Sequence, residues 1–259
     1  MRPWERNAAN LEAALKFYGS AEHRGGLTLI TSPVAFSVFN IALLTDPVAD
    51  IDGEIERRIH LAGRHFESLR RPWSFWICEH WLGARTSRRL NRAMRDSGLD
   101  LLVESPGMEI ADFPAAPKRI LPDIETRRVA DDETRAAFRR IVEVCFQIPH
   151  EYARIVYDDP NRWDFPLEVW LGYAGGEPVV STALIEAAGA VGIYSVATLP
   201  HYRGKGYAEA LMRRAVTDFR RRGASGPIVL QSSPAGIELY RRLGFERTTR
   251  FYIYATQTG

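Results

Sequence analysis

Cysteine is scarce in this sequence of 259 residues: there are two, Cys78 and Cys145. They lie far apart in apolar runs, so buried reduced thiols are expected rather than a disulfide framework. Charge of one sign is lacking as well. Lys and Arg total 34 against 32 Asp and Glu, a net charge of +2. That balance gives no bulk attraction to nucleic acid or to a membrane surface. No long apolar run is present. The most apolar stretch, Pro33 to Leu44, is too short to span a bilayer and is broken by Ser37 and Asn40. Arg2, Glu5 and Arg6 stand at the N-terminus with no apolar core after them, so no signal peptide is expected and a cytoplasmic location is. Metal-ligand spacing is missing too. Cys78-Glu-His80 has no second ligand pair, His60 and His65 lack the spacing of a zinc-binding helix face, and His23 and His201 have no partners by spacing. No metal is expected, and no Ser-His-Asp or Cys-His arrangement stands out. The arginine runs at 70–71, 88–89, 213–214, 220–222 and 241–242 have acidic neighbours and read as solvated helix faces, not as a nucleic-acid surface.

What is present is ordinary for a globular chain: 46% hydrophobic and 25% charged residues, enough length for one large domain or two smaller ones. Trp4, Ala8, Leu11, Leu15 and Tyr18 recur at helical steps over residues 3–18. Strands are expected at Leu27–Thr31 and Ala35–Leu44. A helix follows, capped by Asp50 or Asp52 and carrying the stripe Ile51, Ile55, Ile59, Ala62, Phe66 and Leu69. Then come a buried strand at Trp73–Glu79, a helix over 86–97, and strands at Leu99–Glu104 and Met108–Ala111. Residues 113–122 hold Pro114, Pro117 and Pro122 without a clear period and read as a linker. Domains are therefore expected at 1–112 and 123–259. In the second, a strand at Ile124–Val129 precedes a helix from Asp131 to Phe146. A loop-like region follows over 147–166, then three strands joined by short glycine-bearing turns (Glu168–Tyr173, Pro178–Glu186 and Ala190–Thr198). A long helix, strand Ile228–Gln231, a short helix near Pro234–Leu243 and strand Phe245–Tyr254 complete it.

The stretch that organises the second half is Val196-Ala-Thr-Leu-Pro-His-Tyr-Arg-Gly-Lys-Gly-Tyr-Ala-Glu-Ala-Leu-Met212. A strand leads into a glycine-bearing loop, and an amphipathic helix starts at once. The first N–H groups of that helix have no intrahelical partner, and the macrodipole places partial positive charge there. Gly204 and Gly206 let an anion approach the backbone, and Arg203 and Lys205 add full positive charge. The segment is not a P-loop, because no Gly-Lys-Ser/Thr stands at the required spacing. Nor is it a dinucleotide fingerprint, because Glu209 stands where the third glycine belongs.

Arg203, Gly206 and Ala208 fit Arg/Gln-x-x-Gly-x-Gly/Ala, and Tyr240-Arg-Arg-Leu-Gly244-Phe245 follows about thirty residues downstream. The pair resembles the acetyl-CoA pyrophosphate loop and the second motif of the GNAT superfamily of N-acetyltransferases. The element order of residues 123–256, β-α-βββ-α-β-α-β, resembles that fold: an α/β (α+β type) chain with a mixed, mostly antiparallel sheet flanked by helices. The N-terminal unit resembles a partial copy, with an unrelated α/β domain as the rival reading. At its equivalent loop stands the acidic Asp46-Pro-Val-Ala-Asp-Ile-Asp52, which would repel a pyrophosphate, so a GNAT-like first unit is expected not to bind cofactor.

The resemblance implies acetyl-CoA as cosubstrate. It places the pantetheine along Val196, Ala197 and Thr198, and the pyrophosphate on Arg203, Gly204, Lys205, Gly206, Tyr207 and Ala208. Tyr240 matches the tyrosine that protonates the leaving thiolate in many members, and a phenol is neutral at pH 7 and can donate. Where many members carry Asn-x-x-Ala, this chain has Ser233-Pro-Ala-Gly236, and Ser232 or Ser233 is left to replace the asparagine's hydrogen bonds. No base is specified. Glu151 comes first, ahead of His150, Glu168, Glu186 and a water chain. Tyr152, Tyr157, Trp163 and Phe165 are expected near the acceptor, favouring a small-molecule amine. No nucleic acid or membrane partner is expected, and the chain is read as a monomer or homodimer. Rival readings are a non-catalytic acyl-CoA sensor or interaction module, a nucleic-acid binder, and transfer of a longer acyl group.

Overall fold

The computed structural model describes residues 1–256. The first half of the chain runs through α1 (Pro3–Leu15), β1 (Ser20–Arg24), β2 (Leu27–Thr31), β3 (Ile41–Leu44), α2 (Glu54–Ser68), β4 (Ser74–Cys78), α3 (Ala84–Asp96) and β5 (Leu99–Ile110). The second half begins with β6 (Glu125–Arg128), α4 (Asp132–Phe146), α5 (His150–Tyr157), β7 (Glu168–Ala174), β8 (Glu177–Ala187) and β9 (Ala190–Thr198). It ends with α6 (Tyr207–Arg221), β10 (Ile228–Gln231), α7 (Ile237–Leu243) and β11 (Glu246–Thr256). The class is mixed α/β with mostly antiparallel pairing, as the sequence implied.

The chain divides into two compact units. One holds Met1–Glu109 and the segment from Gln231 on; the other is Ile110–Leu230. In the first unit the strand order is β1-β2-β3-β4-β11-β5. Pairing is antiparallel except between β3 and β4, which are parallel and joined by α2. Helix α2 lays Ile55, Ile59, Ala62 and Phe66 into one core with Leu27, Leu29, Phe75 and Ile77. Each buried Ile, Leu or Phe among them stabilises by roughly 1.5–3 kcal/mol. Ile51, assigned to the same stripe from sequence, lies before the helix and is 63% exposed.

Three expectations about this unit change. The strand expected over Ala35–Leu44 keeps only Ile41–Leu44, because Asn40 turns the chain. Asn40 Nδ2 donates to the carbonyls of Val34 (2.9 Å) and Phe36 (3.0 Å), and its Oδ1 accepts from the Ser32 N–H (3.1 Å). The two strands expected around Ser105-Pro-Gly107 are one strand, β5. The domain border expected at 113–122 put everything after residue 122 together. Here β11 lies between β4 and β5, paired antiparallel with β5 along most of its length and with β4 over Phe251–Ala255. An eleven-residue strand with partners on both sides satisfies its backbone donors and acceptors in this unit, and the segment from Gln231 travels with it.

In the second unit the order is β10-β9-β8-β7-β6. Four strands form an antiparallel meander, and β10 joins β9 in parallel after the α6 crossover. Helix α4 starts where Asp131 caps it, its Oδ1 accepting from the Thr134 N–H at 2.8 Å. The region 147–166, expected as loop, contains α5 and a 3-10 turn at Pro160–Asp164. Phe138 of α4 packs edge-on against Tyr157 (5.2 Å) and Trp163 (5.9 Å). Tyr157 is buried there and Trp163 half-buried, so both rings pack against this unit's core.

Candidate active site

Strand β9 carries an irregularity near its C-terminal end. Ser181 pairs with Ala197 and Ala183 pairs with Tyr194. Between those pairs β8 has Thr182 alone, whereas β9 has Ser195 and Val196. The extra residue is a β-bulge, and Ser195 adopts φ +47, a left-handed conformation. The Ser181 hydroxyl secures it by donating to the Ser195 carbonyl at 2.9 Å. On its other side β9 pairs with β10 only over Val191–Gly192 against Ile228–Val229. Strand β9 then runs on to Thr198. Val196, Ala197 and Thr198 therefore stand beyond the bulge, where the parallel pairing has ended.

From Thr198 the chain passes Pro200 into the loop. Arg203 folds back, and its Nε donates to the Thr198 carbonyl at 2.9 Å. The same carbonyl accepts from the Cys145 thiol at 3.3 Å. Burial raises the pKa of that thiol, and Arg203 partly opposes the rise. Gly204 has φ +75, with open space where a Cβ would stand. Lys205 lies exposed, its Nζ 5.7 Å from the Tyr202 ring. Gly206 is the N-cap of α6 at φ +97. A Cβ there would stand 3.1 Å from Pro122 Cδ and 3.3 Å from Arg119 Nη2. The positive φ favours glycine at Gly206, and a Cβ would also require Pro122 or Arg119 to give by a few tenths of an ångström. No side chain caps the helix. Its first N–H groups, from Tyr207 and Ala208 onward, are left for a ligand or solvent. The cradle fits an anion: positive backbone dipoles at one end, Arg203 and Lys205 beside them, and no Cβ on either glycine.

The remaining sequence candidates stand in different surroundings. Tyr240, on α7, is buried, and its ring meets Phe245 edge-on at 5.6 Å. Burial pushes its phenol well above the ordinary tyrosine range, so it keeps its proton at neutral pH. Ser233 is the exposed N-cap of the Pro234–Gly236 turn, and its carbonyl accepts from the Ser232 hydroxyl at 2.8 Å. Glu151 is exposed in the first turn of α5. His150 Nδ1 lies 3.0 Å from Glu143 Oε1. Glu168 is committed elsewhere: Arg222 grips it with two hydrogen bonds (2.8 and 2.6 Å) and the Trp170 indole donates to it at 2.6 Å. Glu186 accepts from the backbone and hydroxyl of Ser225. Both act structurally, which leaves Glu151 and His150 of the acids and bases named from sequence.

The loop after β3, in the first unit, has the same plan with other contents. Helix α2 also begins at a left-handed glycine N-cap, Gly53 at φ +88. The loop before it is sealed. The Val48 N–H donates to the Trp81 carbonyl at 2.8 Å. Asp50 caps α3, accepting from the Thr86 N–H (2.8 Å), the Thr86 hydroxyl (2.9 Å) and the Arg85 N–H (3.1 Å). Those bonds hold its carboxyl below the usual range. Buried Arg58 donates to the carbonyls of Asp46 (2.8 Å) and Pro47 (2.7 Å).

Residues 132–245 match the model of the acetyltransferase (GNAT) family. This segment is a GNAT acetyltransferase domain. The match begins in one compact unit and ends in the other, at Phe245. Among solved structures, a GCN5-related N-acetyltransferase from Kribbella flavida is 19% identical, with a TM-score of 0.72 over 100% of this chain and 97% of its own. A GCN5-related N-acetyltransferase from Sphaerobacter thermophilus is 16% identical, with a TM-score of 0.60 over 94% and 84%. A tandem GNAT protein from the clavulanic acid biosynthesis pathway is 13% identical, with a TM-score of 0.51 over 90% and 78%. These likenesses concern the fold, and they extend the GNAT-like architecture to the N-terminal half. No curated protein matches the sequence. GNAT enzymes generally use acetyl-CoA. Among the described residues no group of three or more His, Cys, Asp or Glu is placed to hold a metal ion, and no helix is long and apolar enough to cross a membrane.

Proposed function

We propose that this chain transfers an acetyl group to the primary amine of a small molecule, directly, in a complex that holds both substrates. The observation that carries the reading is the Arg203–Ala208 cradle standing next to the bulge at Ser195. Bound acetyl-CoA would supply the thioester whose acyl group moves. The chain's own residues bind, align and hold protons. Arg203, Lys205 and the N–H groups of Gly204, Gly206, Tyr207 and Ala208 take the pyrophosphate. Val196, Ala197 and Thr198 offer backbone groups beyond the bulge to an extended ligand, and the Val196 N–H polarises the acyl carbonyl. Alignment of two bound reactants supplies most of the rate, since it replaces a bimolecular encounter. Tyr240 Oη, kept protonated by burial, donates to the departing sulfur, and Ser233 takes the place of the asparagine whose hydrogen bonds many members use for the cofactor. Glu151 is the base that receives the amine's proton, a short transfer through water sufficing for an exposed carboxylate.

Thiol release measured across a panel of polyamines, amino acids and aminoglycosides tests this reading. Acetyl-CoA-dependent release with at least one small amine is expected. Tight acetyl-CoA binding with no release from any amine or peptide would favour the acyl-CoA sensor instead.

A further inference from the structure

The segment expected as a linker is laced onto α6 by arginines. Arg213 Nη1 donates to the Pro114 carbonyl at 2.6 Å, and its guanidinium lies 5.2 Å from the Phe113 ring centre. Arg214 donates to Asp123 at 3.1 Å and Arg220 to the Ala111 carbonyl at 3.3 Å. These side chains, read from sequence as solvated, hold residues 111–123 in place. The segment brings Arg119 to the cofactor loop. Its Nη1 donates to the Gly204 carbonyl at 3.4 Å, and its Nε lies 3.6 Å from Glu209 Oε2.

Glu209 makes that placement informative. It sits in the first turn of α6 and is 6% exposed. A carboxylate there cancels the helix field that would attract an anion. Arg213 Nε engages its other oxygen at 3.0 Å, so two guanidiniums flank one buried acid. Resting on the acetyl-CoA reading above, we propose that Arg119 is a positioning residue of the cofactor loop. It holds the Gly204 carbonyl so that the loop's N–H groups face the pyrophosphate, and with Arg213 it neutralises Glu209.

The test is calorimetric titration of the full chain with acetyl-CoA, in parallel with initial rates and thermal melting. Arg119→Met is expected to weaken binding about tenfold, the lower end of what one charged hydrogen bond contributes. The KM for acetyl-CoA rises while kcat at saturation stays unchanged. Adding Glu209→Gln to that variant restores most of the affinity, because the uncompensated charge is gone. Arg119→Lys, the milder change, keeps the charge and loses less than Arg119→Met. Unchanged affinity in Arg119→Met overturns the proposal. So does a double variant as weak as the single one, which would mean that Arg119 touches the phosphate itself. Absence of binding by the unsubstituted chain is a different result: it overturns the acetyl-CoA reading, and the proposal with it.

Discussion

The chain makes the same turn twice, after β3 and after β9. In both places a parallel crossover begins, a loop follows the strand (residues 45–53 and 199–206), and a fifteen-residue helix starts at a glycine with positive φ. The side chains then give the two loops opposite electrostatics. After β9, Arg203 and Lys205 flank an uncapped helix N-terminus. After β3, Asp50 is spent on the N-terminus of α3, and Asp52 pairs with Arg85 (2.6 Å) and Arg89. Arg58 fills the interior with its guanidinium, taking loop carbonyls that a ligand's donors would otherwise meet. Backbone geometry alone therefore does not make an anion cradle. Two loops that each end at a left-handed glycine become a cradle or a plug according to which charges line them and where their polar groups are already engaged.

The contrast can be broken most severely at its shared glycines. Gly206→Asp is expected to weaken acetyl-CoA binding at least about a hundredfold, through backbone strain, the clash with Pro122 and Arg119, and charge repulsion. Gly53→Asp imposes the same φ with open space around the new side chain. It should cost about 1 kcal/mol of stability and leave affinity unchanged. Titration and thermal melting of both variants check the pair, and equal losses of affinity would erase the distinction between the loops.

Next in size is Tyr240→Phe. Removing a positioned general acid is expected to lower kcat on the order of a hundredfold with acetyl-CoA affinity nearly unchanged. Equal turnover in steady-state assays would take Tyr240 out of the chemistry. Arg58→Met probes the plug. Three backbone carbonyls and Glu54 lose a buried partner, a destabilisation of about 3 kcal/mol read from urea unfolding, with affinity for acetyl-CoA unaffected. The smallest effect is a pH dependence. Hydrogen bonds from Arg57, then Arg58, lower the Glu54 carboxyl from 4.5 to about 2. A depressed carboxyl contributes stability that is present above its unfolded pKa and is lost as pH falls through the folded one. Unfolding free energy should therefore decline between about pH 4.5 and 2, with a shallower slope in Glu54→Gln.

The cradle was legible in the sequence because its determinants are local. Glycines at two fixed positions, a basic residue beside each, and an immediate amphipathic run leave few other readings. The bulge was not legible, since Ser195 carries no glycine signal and its φ depends on Ser181 across the sheet. Strand β11 was seen, but not its partners. Its neighbours β4 and β5 lie more than a hundred residues earlier, and alternation along a strand does not name the strand beside it. Strand β1 was missed because all five of its residues are exposed, which leaves no apolar period to read. The roles of Arg119 and Arg213 were hidden for a related reason. Arg119 reaches the Gly204 carbonyl and Arg213 the Pro114 carbonyl, and nothing in an arginine's local sequence reveals a distant carbonyl.

The central claim is that one loop binds and the other is closed. Its most direct test is the stoichiometry of acetyl-CoA binding to the full chain by calorimetry. One site per chain is expected, lost in Gly206→Asp and retained in Gly53→Asp. Two sites per chain, or a single site that survives Gly206→Asp, would contradict the account.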